Sequence, residues 1–318
     1  MTTVPTESAF PVMDGVLTIR KEAGWTSHDV VAKVRKILGA VKVGHAGTLD
    51  PAATGVLPVL IGRGTRIAEY LLGWDKEYVA VLRLGETTDT QDATGILLDR
   101  RPTEAVTADD IHKAVAGFQG TIRQMPPMYS AVKVDGVPLY RSARAGKTVD
   151  REPRTVTVHL LQVLAIEGQD VTLQVVCSKG TYIRTLCADL GSVLDVGGHL
   201  LQLERRRVGP LMIEQAMTVN DVAIAHAAGR LSDLMVPLDR ALHGLPIIEV
   251  DGATSERVRH GAPIPLADLR RISLTDREAR SGMPLRIHGE DGRLLAIGRC
   301  PRENSSAIAV EKVLVPQP

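Results

Sequence analysis

The sequence predicts an α+β fold: a mixed, largely antiparallel sheet with flanking helices, followed by a small β-rich C-terminal domain. Three observations carry that expectation. Apolar runs of strand period are joined by both turns and helices, without the regular alternation that an all-parallel sheet demands. Near Gly244-Leu245-Pro246 the texture changes to short apolar pieces separated by turns. At 318 residues the chain suits a main domain of about two hundred residues plus an appendage. The expected divisions are a loose tail over 1–14, a main domain over 15–244 and the β-rich domain over 245–318.

In chain order, Val16-Leu17-Thr18-Ile19-Arg20 reads as a strand. Trp25-Thr26-Ser27 then offers caps to a helix with Val30, Val31, Val34, Ile37 and Leu38 on one face, closed by Gly39. Val43 to Pro58 reads as a structured loop, too rich in glycine and polar groups for core. A second helix is expected over Thr65 to Leu72, a strand over Tyr78 to Leu84, and a helix from Thr107 to about Gly117 with Asp110 in its first turn. Strands follow over Thr155 to Ile166 and Val171 to Ser178; in the second, Val171, Leu173, Val175 and Cys177 share one side. Tyr182 to Leu194 reads as helix and Leu200 to Val208 as strand. The C-terminal strands are expected at Ile247–Val250, Pro284–Ile287 and Leu294–Gly298.

Between Gln124 and Arg154 lies a long stretch with Pro126-Pro127, several glycines and a basic cluster, the composition of a binding loop or lid. Arg141, Arg144, Lys147, Arg151 and Arg154 face only Asp150 and Glu152 in charge. A second basic cluster is Arg205-Arg206-Arg207. The bland reading of each is a solvated face, and the sharper one a contact to RNA phosphates. Net charge is only +1, so bulk charge does not announce a nucleic-acid partner. Cys177, Cys187 and Cys300 are too few and too far apart for a zinc motif or a disulfide framework, which favours a reducing cytoplasm. No apolar run reaches the length of a membrane span, and residues 1–14 lack the pattern of a signal peptide.

The segment richest in chemistry is Gly44-His45-Ala46-Gly47-Thr48-Leu49-Asp50-Pro51-Ala52-Ala53-Thr54-Gly55-Val56-Leu57. Its glycines permit close approach of backbone to a ligand, and His45 and Asp50 are its groups for acid, base or nucleophilic work. Read from the residues alone, an Asp-Pro turn beside a surface histidine and a functional loop both fit. Two other segments carry weaker signals. Asp89 and Asp92 lack the spacing and glutamate of a calcium loop and read as a polar turn. Gly62-Arg63-Gly64-Thr65-Arg66 lacks the lysine of a P-loop and reads as a helix entry with room for a phosphate contact.

That glycine-rich segment resembles the signature of the TruB family of tRNA pseudouridine synthases, GHAGTLDPxATGxL, from Gly44 through Leu57 without a break. Further family segments follow in order. KEAGWTS (21–27) is similar to K-P-x-G-x-T-S, with Glu22 in place of proline; LGETTDTQDATG (84–95) contains T-D-T-x-D-x-x-G; QMPPMYSAV (124–132) and CSKGTYIRTL (177–186) complete the series. Lys76-Glu77-Tyr78 resembles the family's K-x-Y. The resemblance runs from about Gly15 to Val222 and is weak over the C-terminal seventy residues.

The resemblance implies the pseudouridine synthase fold, a PUA-like C-terminal domain, and isomerisation of uridine 55 in the TΨC loop of tRNA. In that reaction the C1′–N1 bond breaks, the uracil turns and a C1′–C5 bond forms. No cofactor and no metal are implied. Asp50 takes the catalytic position, and attack at C1′, attack at C6 and a glycal route all stay open. Arg184 matches the arginine that keeps this aspartate ionised, since desolvation alone raises a carboxyl pKa. Tyr78 matches the tyrosine set against the base, and His45 the residue that fills the gap left by the extruded nucleotide. Tyr182 and Leu203 match pocket-lining positions. The implied insertion over 124–154 grips RNA, with Arg141, Arg144, Lys147, Arg151 and Arg154 as its phosphate contacts. The expected partner is the TΨC stem-loop of tRNA, with no guide RNA, obligate protein partner or membrane, and the expected state is a monomer. Rival readings are a guide-RNA-dependent synthase, a non-catalytic RNA-binding or RNA-folding protein, and a glycoside hydrolase, which needs two carboxylates.

Overall fold

The computed structural model describes residues 13–39, 42–130, 132–134, 136–269, 271–272, 282–301 and 306–316. Most of the expected tail, residues 1–12, lies outside them. The first half of the main unit contains β1 (Gly15–Lys21), α1 (Ser27–Leu38), β2 (Val43–His45), β3 (Thr54–Ile61), α2 (Ala68–Leu72), β4 (Lys76–Leu84), β5 (Glu86–Thr88), β6 (Leu97–Arg100), α3 (Ala108–Gly117) and β7 (Gly120–Gln124). Its second half contains β8 (Lys133–Val134), β9 (Val137–Pro138), α4 (Leu139–Arg144), β10 (Arg154–Glu167), β11 (Asp170–Cys177), α5 (Ile183–Val193), β12 (Gly198–Val208), β13 (Leu211–Met212), α6 (Val219–Ala227) and α7 (Leu238–Ala241). The remainder forms β14 (Ile247–Glu249), α8 (Gly252–Arg259), β15 (Ile264–Pro265), β16 (Arg271–Ile272), β17 (Pro284–His288), β18 (Leu294–Arg299) and β19 (Ala307–Val313).

The large sheet runs β1-β3-β12-β4-β11-β10-β7, with β2 on β3 and β13 on β12. Among the described residues every pair in it is antiparallel except β3 with β12, as the fold class requires. In β4 and β11 burial alternates strictly, which puts Tyr78, Ala80 and Leu82 in one core with Val171, Leu173 and Val175. Helices α3 and α5 cover that face. At the other end of the sheet, α1 lays Val30, Val31, Val34 and Leu38 on Leu17, Ile19, Leu57 and Val59. Its start is a capping box in which Thr26 accepts from the Asp29 amide and Asp29 from the Thr26 amide. α3 and α6 begin the same way, at Thr107/Asp110 and Thr218/Asp221, each such cap contributing about 1 kcal/mol.

Two expectations need correction. Val43 to Pro58 is not one loop, because Val43–His45 and Thr54–Ile61 are strands and only 46–53 is irregular. β3 is buried on both faces, between α1 and a second core that includes Val16, Ile67, Leu242, Ile297 and Leu314, so its pattern lacks alternation. The expected helix over Thr65 to Leu72 is a 3-10 turn, Gly62–Ile67, leading into the short α2. That turn serves protein contacts: Arg63 pairs with Asp14, and Arg66 Nη1 donates to the Val313 carbonyl at 2.6 Å.

The C-terminal unit is a six-stranded sheet, β15-β19-β18-β17-β14-β16, with its own core around Ile248, Val258, Leu285 and Ile287. It is joined to the main unit through Ile297 and Leu314 and through polar ties, including Arg286 to Asp239 at 2.8 Å and Lys312 to Glu69 at 3.0 Å. β7 and β10 pair with Gln124 opposite Arg154, so the segment between them leaves and rejoins the sheet edge at one point. Among the described residues no helix is long and apolar enough to cross a membrane.

Candidate active site

Asp50 lies on the irregular stretch between β2 and β3, and its neighbours are held through their backbone. The Ser27 hydroxyl accepts from the Leu49 amide at 2.9 Å and donates to the Leu49 carbonyl at 3.2 Å. Lys21 Nζ donates to the Pro51 carbonyl at 3.1 Å, and Arg205 Nη2 to the Gly47 carbonyl at 2.9 Å. The loop is thereby a fixed platform, while the Asp50 side chain stays 44% exposed. Lys21 itself is fully buried, and that burial pulls its pKa down to about 8 although the Asp50 charge acts the other way.

Arg184, in the first turn of α5, is buried and joins three segments. Its Nε lies 3.0 Å from Asp50 Oδ2, its Nη1 donates to the Thr90 carbonyl at 3.3 Å, and its Nη2 donates to the Tyr129 carbonyl at 2.8 Å. α5 has no side-chain cap of its own. Instead the buried Gln124 accepts from the Tyr182 amide at 2.7 Å and donates to the Tyr182 carbonyl at 3.0 Å, fixing the entry to the helix.

Sequence reasoning missed a second carboxylate. Asp92 does form a polar turn, accepting from Thr90 Oγ1 at 2.7 Å and Thr94 Oγ1 at 2.6 Å, but its Oδ2 also lies 3.7 Å from Arg184 Nη1. One guanidinium thus serves two carboxylates, of which Asp92 is the less exposed. The available signal was the T-D-T-x-D segment, whose aspartate had been read without a partner.

Tyr78, Leu203 and Arg205 share one face of the sheet: Tyr78 is in register with Arg205, and Ala80 with Leu203. Tyr78 is buried, which raises its phenol pKa; the Arg205 charge opposes that rise and the Asp50 charge adds to it. Leu203 is half-buried against the core of β4 and α5, and Tyr182 is half-buried at the head of α5. His45 ends β2, and its ring meets His28 edge-on with centroids 5.4 Å apart. Burial first, then the charges of His28 and Arg205, lower its pKa and favour the neutral ring. Its Nδ1 is buried with no hydrogen-bond partner among the described residues.

The Arg205–Arg207 triplet is not a phosphate patch. Arg205 is fully buried; Arg206 binds Glu204 and Glu214, each at 2.9 Å; Arg207 binds Glu77 at 3.2 Å. Alternation puts Arg205 on the inward side with Leu203, and the register shift after it pairs Arg207 with Glu77, on the other face from Tyr78. In the excursion from β7 to β10, Arg141, Lys147 and Arg154 are exposed, whereas Arg151 donates to the Pro126 carbonyl at 2.9 Å. The side chain of Arg144 lies outside the described residues.

The fold places the chain in the pseudouridine synthase class. Over 95% of this chain the fold is similar to that of a solved Cbf5–Nop10–Gar1 complex (TM-score 0.76, 32% identity, 85% of that chain) and of an H/ACA ribonucleoprotein bound to a substrate RNA containing 2′-deoxyuridine (TM-score 0.73, 29% identity, 86% of that chain). Residues 35–183 match the model of the TruB family pseudouridylate synthase N-terminal domain, and residues 184–243 that of the tRNA pseudouridylate synthase B C-terminal domain. The chain belongs to the TruB family of pseudouridylate synthases. It is 43% identical to the tRNA pseudouridine synthase B of Aromatoleum aromaticum (91% of this chain, 89% of the relative) and 42% identical to that of Burkholderia lata (96% and 91%). With the protein of the same name from Ralstonia pickettii, identity is 47% over 79% of this chain and 80% of the relative.

Proposed function

We propose that this chain isomerises uridine 55 in the TΨC loop of tRNA to pseudouridine, acting alone and as a monomer, with Asp50 as the catalytic carboxylate. The observation that carries the proposal is the contact of buried Arg184 with Asp50 on a loop pinned from several sides. A carboxylate so placed is held in position beside a fixed positive charge, as attack on or beside a sugar requires. Tyr78 lies against the flipped uracil, with Tyr182 and Leu203 lining its pocket. His45, neutral and compact, enters the gap left by the base at a desolvation cost lower than that of a cation.

The relatives named tRNA pseudouridine synthase B are more similar in sequence than the Cbf5 chain of the solved complex, which favours action on tRNA without a guide RNA. A tRNA transcript incubated with purified protein alone is expected to acquire one pseudouridine, at position 55, in carbodiimide-based mapping. A requirement for added guide RNA, or modification elsewhere, would overturn this reading.

The excursion between β7 and β10 is proposed as the RNA grip. Exposed Arg141 and Lys147 contact phosphates and release counterions, so Arg141→Ala/Lys147→Ala is expected to lower the slope of log K against log salt by roughly one to two units. The single-turnover rate at saturating tRNA is expected to stay within about twofold of wild type, because neither residue adjoins Asp50. Equal slopes for variant and wild type, read by filter binding across a salt series, would remove both residues from the grip.

A further inference from the structure

Arg205 heads the largest fully buried side chains, and among the described residues no carboxylate forms an ion pair with it. Its guanidinium is met instead by backbone: Nε donates to the Val56 carbonyl at 2.7 Å, Nη2 to Gly47 at 2.9 Å and Nη1 to Thr48 at 3.4 Å. Tyr78 is buried opposite it on β4, where the Arg205 charge acts on the phenol. Strand register explains how one residue reaches all of these. Arg205 is opposite Tyr78 on β4 and opposite Gly55 on β3. Gly55 has φ +105°, and a Cβ there would lie 2.2 Å from the Arg205 carbonyl oxygen, so only glycine lets the two strands close at this point.

Donor chemistry adds a constraint. A guanidinium has no acceptor, so toward Arg205 the Tyr78 oxygen can only accept, which leaves the phenolic proton for another partner. A loop needing only an anchor could use a neutral donor, as Leu49 does with Ser27. A buried cation costs desolvation that a hydroxyl does not, and it sets a positive field on both Asp50 and Tyr78.

We propose that Arg205 is a positioning residue of the isomerisation: it holds the Asp50 loop from beneath and occupies the Tyr78 oxygen, so that the Tyr78 proton is presented to the bound nucleotide. The inference rests on the pseudouridine synthase reading above. Arg205 acts through Asp50 and Tyr78 and touches neither phosphate nor base.

The test is a double-mutant cycle of Arg205→Lys with Tyr78→Phe, read as single-turnover rate at saturating tRNA transcript and as dissociation constant across a salt series. Arg205→Lys keeps a charge but cannot reach three carbonyls and a hydroxyl from one point, so the rate is expected to fall about 10- to 100-fold. Affinity and salt slope are expected to match wild type. In the Tyr78→Phe background the same substitution is expected to cost at least about threefold less, because its route through the hydroxyl is gone. Where Tyr78→Phe is too slow to time, the Tyr78 resonance of 3-fluorotyrosine-labelled protein replaces the cycle and is expected to shift in Arg205→Lys while the other tyrosine resonances stay in place. Additive costs, an unmoved Tyr78 resonance, or an unchanged rate with a flatter salt slope each overturn the proposal. A wild-type chain that forms no pseudouridine overturns the functional reading as well, whereas an active wild type with an equally fast Arg205→Lys overturns this inference alone.

Discussion

Asp50→Asn is expected to abolish isomerisation, with the single-turnover rate falling at least about 10³-fold, while tRNA affinity stays within about threefold of wild type. The amide has nearly the volume of the carboxylate and keeps an oxygen facing Arg184 Nε, so the loop has no steric reason to move. Its backbone ties to Ser27, Lys21 and Arg205 do not involve the substituted atoms. What disappears is the negative charge, and with it the nucleophile or electrostatic partner of the sugar. Rapid-quench assay of tritium release from 5-³H-uridine tRNA, beside binding by filter retention, separates the two effects. Turnover above one hundredth of wild type would remove Asp50 from the catalytic position.

Arg184→Met is expected to lower the chemical rate about 10²- to 10³-fold, because it leaves both Asp50 and Asp92 without the cation that each of them contacts. Binding is expected to weaken too, by roughly 10-fold, since the lost Nη2 also holds the Tyr129 carbonyl at the base of the excursion. Arg184→Lys is expected to recover only part of the rate. A point charge can satisfy Asp50 or the Thr90 and Tyr129 carbonyls, but not the four-way geometry of the fork. A wild-type rate in Arg184→Met, measured at saturating tRNA, would show that Asp50 needs no cationic partner, and a wild-type rate in Arg184→Lys would show that it needs the charge but not the fork.

Asp50 and His45 stand out in the sequence as candidates because one unbroken segment carries both. Arg184, Tyr78, Tyr182 and Leu203 become candidates only through resemblance, since an arginine in a helix or a tyrosine in a strand has no local feature that declares a role. The strands β4 and β11 were legible because each has one face in the core, which writes a two-residue period into the chain. β3 was not, because burial on both faces erases that period and its polar start at Thr54-Gly55 resembles a loop.

The sequence by itself determined the element types whose periods are written locally, the helix starts at Thr26 and Thr107, and the segment that bears the candidate nucleophile. Only the tertiary structure decided which charges face water. Arg205 and Asp92 sit in polar runs that read as a solvated face and a polar turn, yet the first is fully buried and the second adjoins Arg184. The physical reason is that charge burial is settled by partners remote in sequence. The carbonyls that receive Arg205 belong to residues 47, 48 and 56, and they come within reach only when β12 pairs between β3 and β4. That pairing depends on strand register and a bulge, properties of the assembled sheet that no local pattern of residues encodes.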